Sequence, residues 1–217
     1  MELKNLKINF IGDSITEGVG ASSYETCYVS RFAAMTGAIC RNYGISGTRI
    51  ARRKVPYEIP EFDRDFNSRY HLMEEDADVI VVFGGTNDYG HGDAPIGEMS
   101  DRTVWTFYGA LHCLYTGILE RWPESTIVIM TPLHRVGEHD TLNEHGHPVI
   151  ASLKGISEAI KEVAAYYSFP VLDLYAVSNL NPELPIIKET YMPDGLHPND
   201  AGHTRIASRL EGFLKAL

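Results

Sequence analysis

The chain has 217 residues, of which 44% are hydrophobic and 22% are charged, so it can form one globular domain with a sizeable core. It contains 19 lysine and arginine residues and 29 aspartate and glutamate residues, which gives a net charge of −10. This acidic balance argues against nucleic acid or an anionic membrane surface as a partner.

Short apolar runs alternate with helical patterns along the chain. The run DVIVVFGG (78–85) is almost entirely apolar and β-branched, as expected for a strand that is buried on both faces. Residues 102–121 instead repeat apolar side chains at spacings of three and four, which predicts an amphipathic helix. The predicted elements, in chain order, are a strand over 7–11, a helix over 24–36, strands over 38–43 and 78–85, a helix over 102–121, a strand over 125–131, a helix over 149–167, a strand over 169–175, and a closing helix through Ile206, Leu210, Phe213 and Leu217.

Five strands that alternate with helices predict a parallel sheet with helices on both faces. We expect an α/β fold in a single domain over 1–217: a three-layer α/β/α sandwich with a five-stranded parallel sheet in the flavodoxin-like order 2-1-3-4-5. Such sheets bind ligands at the carboxyl ends of their strands. The loops expected there contain the polar, glycine-rich stretches GDSITEG (12–18), GISGTR (44–49), GGTNDYG (84–90) and DGLHPND (194–200).

Ser14 follows the first predicted strand and has two interpretations. It could form a helix capping box with Glu17, or it could be a reactive hydroxyl on a tight turn. The glycines that follow disfavour a helix, so we favour the reactive hydroxyl and leave Glu17 without a role. A serine nucleophile needs a base, and a histidine base works best when a carboxylate fixes its tautomer. His197 and Asp194, three residues apart, supply both.

Acyl transfer also needs hydrogen-bond donors for the oxyanion that develops on the substrate. Gly47 can offer an accessible backbone N–H, and Asn87 can offer its side-chain amide. Each has a structural alternative, because glycines serve turns and asparagines cap helices. Their shared location at one edge of the predicted sheet favours a functional role.

The four polar stretches, in this order, resemble the blocks of the SGNH hydrolases, also called GDSL-type esterases and lipases. Isoleucine stands where the eponymous leucine is found. The resemblance implies Ser14 as nucleophile, His197 as general base and acid, and Asp194 as the carboxylate that orients it. It also implies an oxyanion hole from the backbone N–H groups of Ser14 and Gly47 with the Asn87 amide. The family fold is the α/β/α sandwich, and no cofactor is expected.

Two other functions compete with a serine esterase. The segment HRVGEHDTLNEHGH (134–147) contains side chains that bind zinc or manganese, which would fit a metal hydrolase. Its spacing matches no helical HExxH pattern, so we favour a polar loop and expect no metal. The second alternative is a non-enzymatic flavodoxin-like module in which GDSITEG binds a phosphate or nucleotide.

The substrate is expected to be a small-molecule ester. The segments 89–101 and 134–147 should form the walls of the site, and their polarity favours an acetyl or other short acyl group on a carbohydrate or similar alcohol. A lysophospholipase or thioesterase of the same family is the alternative. Arg49, Tyr89 and His134 are the candidate substrate-binding residues, and Arg49 with Arg52 could meet an anionic leaving group. The cluster RIARRK (49–54) is otherwise interpreted as a solvated loop.

Three widely spaced cysteines without a CxxC pair indicate buried free thiols in a reducing compartment. The sequence shows no signal peptide and no apolar run of membrane-spanning length. We therefore expect a cytoplasmic protein. A homo-oligomer is allowed, although no apolar surface stripe predicts one.

Overall fold

A computed structural model of the chain describes residues 1–56 and 60–217. Within these residues, five strands form one sheet: β1 (Lys7–Gly12), β2 (Ile39–Gly44), β3 (Val79–Phe83), β4 (Thr126–Met130) and β5 (Val171–Leu172). The α-helices are α1 (Ser14–Glu17), α2 (Tyr28–Thr36), α3 (Thr86–His91), α4 (Phe107–Arg121), α5 (Leu153–Tyr166), α6 (Leu174–Val177), α7 (Pro185–Tyr191) and α8 (Asp200–Ala216). Short 3₁₀ segments lie at Tyr24–Thr26, Pro60–Asp63, Phe66–Ser68 and Tyr70–Leu72.

The strand order is β2-β1-β3-β4-β5, and every neighbouring pair is parallel. Ile8 of β1 lies between Cys40 of β2 and Val79 of β3, which sets the register at the centre of the sheet. The predicted α/β fold and its 2-1-3-4-5 order are therefore confirmed.

The core consists of two apolar layers, one on each face of the sheet. Ile80 and Val82 of β3 join the layer that packs against α4 and α5. The alternate residues Val79, Val81 and Phe83 join the layer that packs against α2 and α8. Successive side chains of a strand point to opposite faces, so this central strand must be apolar throughout. The prediction of a strand buried on both faces is confirmed.

Some predicted helices begin later than expected because polar side chains cap them. Helix α4 begins after Thr106, whose hydroxyl accepts the N–H of Gly109, and not at residue 102. Helix α5 likewise begins after Ser152, and not at residue 149. A cap satisfies backbone N–H groups that have no partner inside the helix, so it decides where the helix starts.

Other predicted elements are divided or shortened. The predicted helix over 24–36 is two pieces, the 3₁₀ turn Tyr24–Thr26 and then α2, with Cys27 extended between them. The predicted strand over 169–175 is only two residues long, because Asp173 caps α6 immediately afterwards. The short helices α1, α3, α6 and α7 were not predicted. Across the described parts of the chain, no helix is both long and apolar enough to cross a membrane.

Candidate active site

A continuous chain of hydrogen-bond contacts links Ser14, His197 and Asp194. The Ser14 Oγ lies 3.0 Å from the His197 Nε2, and the His197 Nδ1 lies 2.7 Å from the Asp194 Oδ2. Ser14 comes directly after β1, whereas the other two residues lie in the loop before α8. A hydroxyl, an imidazole and a carboxylate in this order can generate an alkoxide-like nucleophile.

The turn after β1 presents the Ser14 hydroxyl. Asp13, and not Ser14, is the N-cap of α1, because its Oδ1 accepts the N–H of Ile15 at 3.0 Å. The expectation that the glycines prevent a helix here was wrong, since one helical turn forms. Gly18 ends that turn in the left-handed conformation at φ +112°, which glycine adopts readily. The capping role that competed for Ser14 therefore belongs to its neighbour.

Asp194 orients His197 through both backbone and side chain. Its Oδ1 accepts the N–H groups of Leu196 and His197 at 2.8 and 2.7 Å. Burial opposes ionisation of this carboxyl, but these two N–H groups and the imidazole outweigh it and hold its pKa below the usual value. The intervening Gly195 has a φ of +83°, and its carbonyl accepts the N–H of Val136 at 2.8 Å. The acid-base loop is therefore anchored to the segment after β4.

Gly47, in the loop after β2, and Asn87, in the first turn of α3, both lie beside Ser14. The Asn87 Nδ2 donates to the carbonyl of Thr48 at 2.9 Å, which ties the amide to the residue after Gly47. An amide nitrogen carries two hydrogens, so this contact leaves one for a ligand. Gly47 has a φ of +73° and a carbonyl that accepts from Arg49 Nη1 at 3.3 Å. The two groups expected to stabilise an oxyanion are thus held against each other.

Glu17 connects the end of α1 to the loop after β2. The sequence pattern did not indicate this contact. Its Oε2 accepts the backbone N–H of Ser46 at 2.6 Å, and the Ser46 hydroxyl donates to the same oxygen. A Cβ atom added to Gly44 would lie 2.1 Å from the Glu17 backbone nitrogen, so a glycine is needed where the end of β2 meets α1. Glu17 thereby holds the residue that precedes Gly47.

Three buried ionisable side chains, Arg69, Asp13 and Asp88, lie close to the site. The Arg69 Nη2 donates to the Gly12 carbonyl at 2.6 Å and to the Thr48 hydroxyl at 2.9 Å, so it joins the ends of two loops. Burial raises the pKa of Asp13 to about 7, although the N–H of Ile15 and the charge of Arg69 oppose that shift. Burial also raises the pKa of Asp88 to about 6.

The Ser14 hydroxyl and the His197 ring open into a cavity of about 330 Å³. Of the described side chains that line it, only Val19 and Leu196 are large and apolar. The described lining residues are Ser14, Val19, Ser46, Gly47, Asn87, His91, Glu144, Leu196 and His197. Three polar residues of this lining were not selected from the sequence: Ser46, His91 and Glu144. His91 and Glu144 lie in the segments 89–101 and 134–147, which were expected to form the walls of the site.

Arg49, Tyr89 and His134 are absent from the described lining of this cavity. Arg49 is only 1% exposed and contacts His91 from behind, with its Nη1 at 3.2 Å from the Nδ1 of that ring. Its burial contradicts the interpretation of 49–54 as a solvated loop. Arg52 points elsewhere and pairs with Asp65 at 2.7 Å. The structure therefore does not support an anionic leaving group bound by these two arginines.

The other two candidates also serve the scaffold. The Tyr89 hydroxyl donates to the carbonyl of Gly137 at 2.5 Å, and its ring is buried. The His134 ring stacks on Tyr175 with ring centroids 3.9 Å apart, and its Nδ1 contacts the Glu138 carboxylate at 2.8 Å. These two residues position the segment after β4.

The histidine and carboxylate side chains of the segment 134–147 do not gather at one place. Among the side chains that the structure describes, no three of His, Cys, Asp or Glu are grouped so that they could hold a metal ion. His139, His147 and Glu144 are all exposed, and Glu144 also lines the cavity. The segment borders the site, as its polarity indicated, and one of its carboxylates reaches the cavity wall.

Comparison with known proteins identifies the family. The model of the GDSL-like Lipase/Acylhydrolase family matches residues 10–205. A GDSL lipase of Mycobacterium tuberculosis is 25% identical over 205 residues, which cover 92% of this chain and 78% of that protein. A crystal structure of a protein from Lactobacillus plantarum is 33% identical, with a TM-score of 0.83 and coverage of 99% of this chain and 98% of that chain. A two-domain esterase active on acetylated mannans shares the fold at 21% identity and a TM-score of 0.61, covering 99% of this chain and 49% of its own. The chain therefore belongs to the GDSL-like lipase/acylhydrolase family, and it is a carboxylic ester hydrolase.

Proposed function

We propose that the protein is a serine esterase that removes an acetyl or other short acyl group from a polar alcohol such as a carbohydrate. One observation carries the proposal. The contacts from Ser14 Oγ to His197 Nε2 at 3.0 Å and from His197 Nδ1 to Asp194 Oδ2 at 2.7 Å end at a cavity of about 330 Å³.

The proposed reaction has two steps. In the first, the His197 Nε2 takes the Ser14 proton while the Oγ attacks the ester carbonyl carbon. The N–H groups of Ser14 and Gly47 and the amide of Asn87 bind the oxyanion. The imidazolium then gives its proton to the departing alcohol oxygen, the ester C–O bond breaks, and an acyl-serine remains.

In the second step, water replaces the alcohol. His197 takes a proton from the water as its oxygen attacks the acyl-serine, and the same donors bind the second oxyanion. The imidazolium returns the proton to the Ser14 Oγ, which releases the carboxylic acid and restores the enzyme. The chain supplies the nucleophile, the base and the oxyanion donors of both steps, and water is the second reactant.

The dimensions and chemistry of the cavity support a short acyl group. At about 330 Å³, it lies at the lower end of the range of small-molecule sites. Two large apolar side chains, Val19 and Leu196, offer little surface for a long alkyl chain, which gains binding energy in proportion to the area it buries. Acetylated carbohydrates are a suitable first choice of substrate, since one protein that shares this fold acts on acetylated mannans.

A series of nitrophenyl esters from acetate to laurate tests the acyl preference. We expect kcat/KM to be highest for acetate or butyrate and to fall as the chain lengthens. A maximum at laurate would contradict the short-acyl proposal and favour a lysophospholipase or thioesterase type of acyl hydrolase.

A fluorophosphonate probe separates the esterase from a phosphate-binding or nucleotide-binding module. We expect one covalent adduct on the Ser14 peptide in mass spectrometry, and no adduct on Ser14 after the protein is unfolded. Absence of labelling in the native protein, together with tight nucleotide binding, would favour the binding module.

We further propose that residues 1–217 act as one catalytic domain in the cytoplasm. Cys27, Cys40 and Cys113 are free thiols, which are usual in a reducing compartment. Cys27 is buried as predicted, while the other two are partly exposed.

A further inference from the structure

We propose that Glu144 determines specificity by accepting a hydrogen bond from a hydroxyl on the alcohol part of the substrate. The inference rests on the proposed esterase function and assigns a residue to its choice of alcohol. Glu144 lies in the cavity lining with the catalytic pair Ser14 and His197. Of the described residues in that lining, Glu144 alone contributes a carboxylate.

Arg135 holds one of the two oxygens of this carboxylate. The Arg135 Nη2 donates to the Glu144 Oε1 at 2.7 Å. The guanidinium is itself buried, since it lies over the Tyr89 ring at 5.5 Å and contacts the Thr86 carbonyl at 3.4 Å. The Glu144 Oε2 makes no hydrogen bond to any of the described residues. One oxygen therefore fixes the carboxylate, and the other is available as an acceptor.

Glu144 is also attached to the helix that carries the oxyanion residue Asn87. Its backbone N–H donates to the carbonyl of Gly90 in α3 at 3.0 Å. A Cβ atom added to Gly90 would lie 2.8 Å from the Glu144 Oε1 and 2.7 Å from the Arg135 Nη1. Only a glycine lets the ion pair lie this close to α3. The acceptor thus has a defined position relative to the reacting bond.

The charge of the cavity wall favours a neutral hydroxyl donor. Arg135 balances the charge of Glu144, so the wall has little net attraction for a cation. Neighbouring His91 is neutral near pH 7, because burial and the charge of Arg49 lower its pKa to about 4. An anionic group has no proton to donate to the free Glu144 Oε2, so it gains no hydrogen bond there. In an acetyl ester only the alcohol part can carry hydroxyls, so the donor belongs to that part.

Two acetate esters test this role, and in both the acetyl group is attached through a CH₂ group to a six-membered ring. Methyl 6-O-acetyl-glucoside carries hydroxyls, whereas cyclohexylmethyl acetate has a similar ring without them. The quantity measured is the ratio of kcat/KM for the first ester to kcat/KM for the second. We expect Glu144→Ala to lower this ratio about tenfold, as expected for the loss of a hydrogen bond to a charged acceptor.

Two further variants serve as controls. Glu144→Gln keeps the shape and an acceptor oxygen, so the ratio should fall less than in Glu144→Ala. Glu120→Ala removes an exposed carboxylate from α4, outside the described cavity lining, and should keep the wild-type ratio. Both variants share the substrates and assay with Glu144→Ala.

The outcomes separate this inference from the proposed function. An unchanged ratio in Glu144→Ala would overturn the role of Glu144 while leaving the esterase intact. An equal loss of kcat/KM for both esters would mean that Glu144 only supports the loop, which also overturns it. If the wild-type protein hydrolyses neither these acetates nor the nitrophenyl esters, the esterase proposal itself fails, and the inference falls with it.

Discussion

Glu17 and Ser46 connect the turn that carries the proposed nucleophile Ser14 to the loop that carries the proposed oxyanion donor Gly47. The Glu17 Oε2 accepts the Ser46 backbone N–H at 2.6 Å and also the Ser46 hydroxyl. Ser46 directly precedes Gly47, whose N–H is expected to bind the oxyanion. Because preorganised donors lower the energy of a developing charge, this contact should act on the rate of reaction more than on substrate binding.

Replacing Glu17 should therefore lower kcat. We expect Glu17→Ala to reduce kcat about tenfold with little change in KM, because a loosened Gly47 loop places its donor less accurately. Steady-state kinetics with nitrophenyl acetate measures both constants. Glu25→Ala, which removes an exposed carboxylate from the 3₁₀ turn Tyr24–Thr26, is the matched control and should retain the wild-type kcat. A wild-type kcat in Glu17→Ala would show that the contact has no part in catalysis.

Asn87 should contribute more, since its amide is expected to touch the oxyanion itself. Removing one such donor costs about 10²–10³ in kcat, and we expect Asn87→Ala to fall in this range. The variant also loses the hydrogen bond to the Thr48 carbonyl, so its free energy of unfolding must be measured by urea denaturation. A folded Asn87→Ala with less than a twofold loss of kcat would remove the side chain from the proposed oxyanion hole.

The buried carboxyls should make the protein less stable as pH rises from about 4 to about 7. Asp13 and Asp88 keep their protons to about pH 7 and 6 in the folded state, whereas an unfolded aspartate ionises near 3.8. These two carboxyls bind more protons in the folded state in this window, so their contribution to the free energy of unfolding decreases with pH. His91, His112 and His203, whose pKa values burial lowers, contribute in the opposite direction. Asp76 and Asp200 have pKa values near 2 in the folded state. They therefore change the free energy of unfolding only below about pH 4.

Asp13→Asn tests that pH dependence, because the amide retains the Oδ1 acceptor for the Ile15 N–H but cannot ionise. We expect the decrease in free energy of unfolding between pH 4 and pH 8 to be smaller in the variant by about 3–4 kcal/mol. Urea denaturation at several pH values gives both curves. Parallel curves for the two proteins would show that Asp13 does not titrate in this range.

The sheet was predictable because each of its strands has a local signal. The apolar run at 78–85 requires burial on both faces, and β3 is buried on both. The turn around Asp194 and His197 was also accessible, since a carboxylate and an imidazole three residues apart can meet within one loop. Helix starts were less accurate, because apolar periodicity continues through residues that a cap such as Thr106 excludes from the helix.

The walls of the cavity could not be predicted because they depend on contacts between distant segments. Arg49 lies in a basic stretch that is typical of a solvated loop, yet the packing of α3 buries it behind His91. Glu144 reaches the cavity because Gly90 leaves room for it and Arg135 holds it. No spacing in the sequence relates Gly90, Arg135 and Glu144 to one another. The proposed catalytic residues could be selected from local motifs, whereas the residues that line the cavity depend on the tertiary fold.

Hydrolysis of nitrophenyl acetate by Ser14→Ala tests the proposed mechanism, since all of its steps pass through the Ser14 Oγ. Ser208→Ala, on the exposed side of α8, provides a folded control that lacks a different hydroxyl. The mechanism predicts that kcat falls by about 10⁴-fold or more in Ser14→Ala and stays at the wild-type value in Ser208→Ala. Wild-type kcat in a purified, folded Ser14→Ala protein would contradict the assignment of Ser14 as the nucleophile.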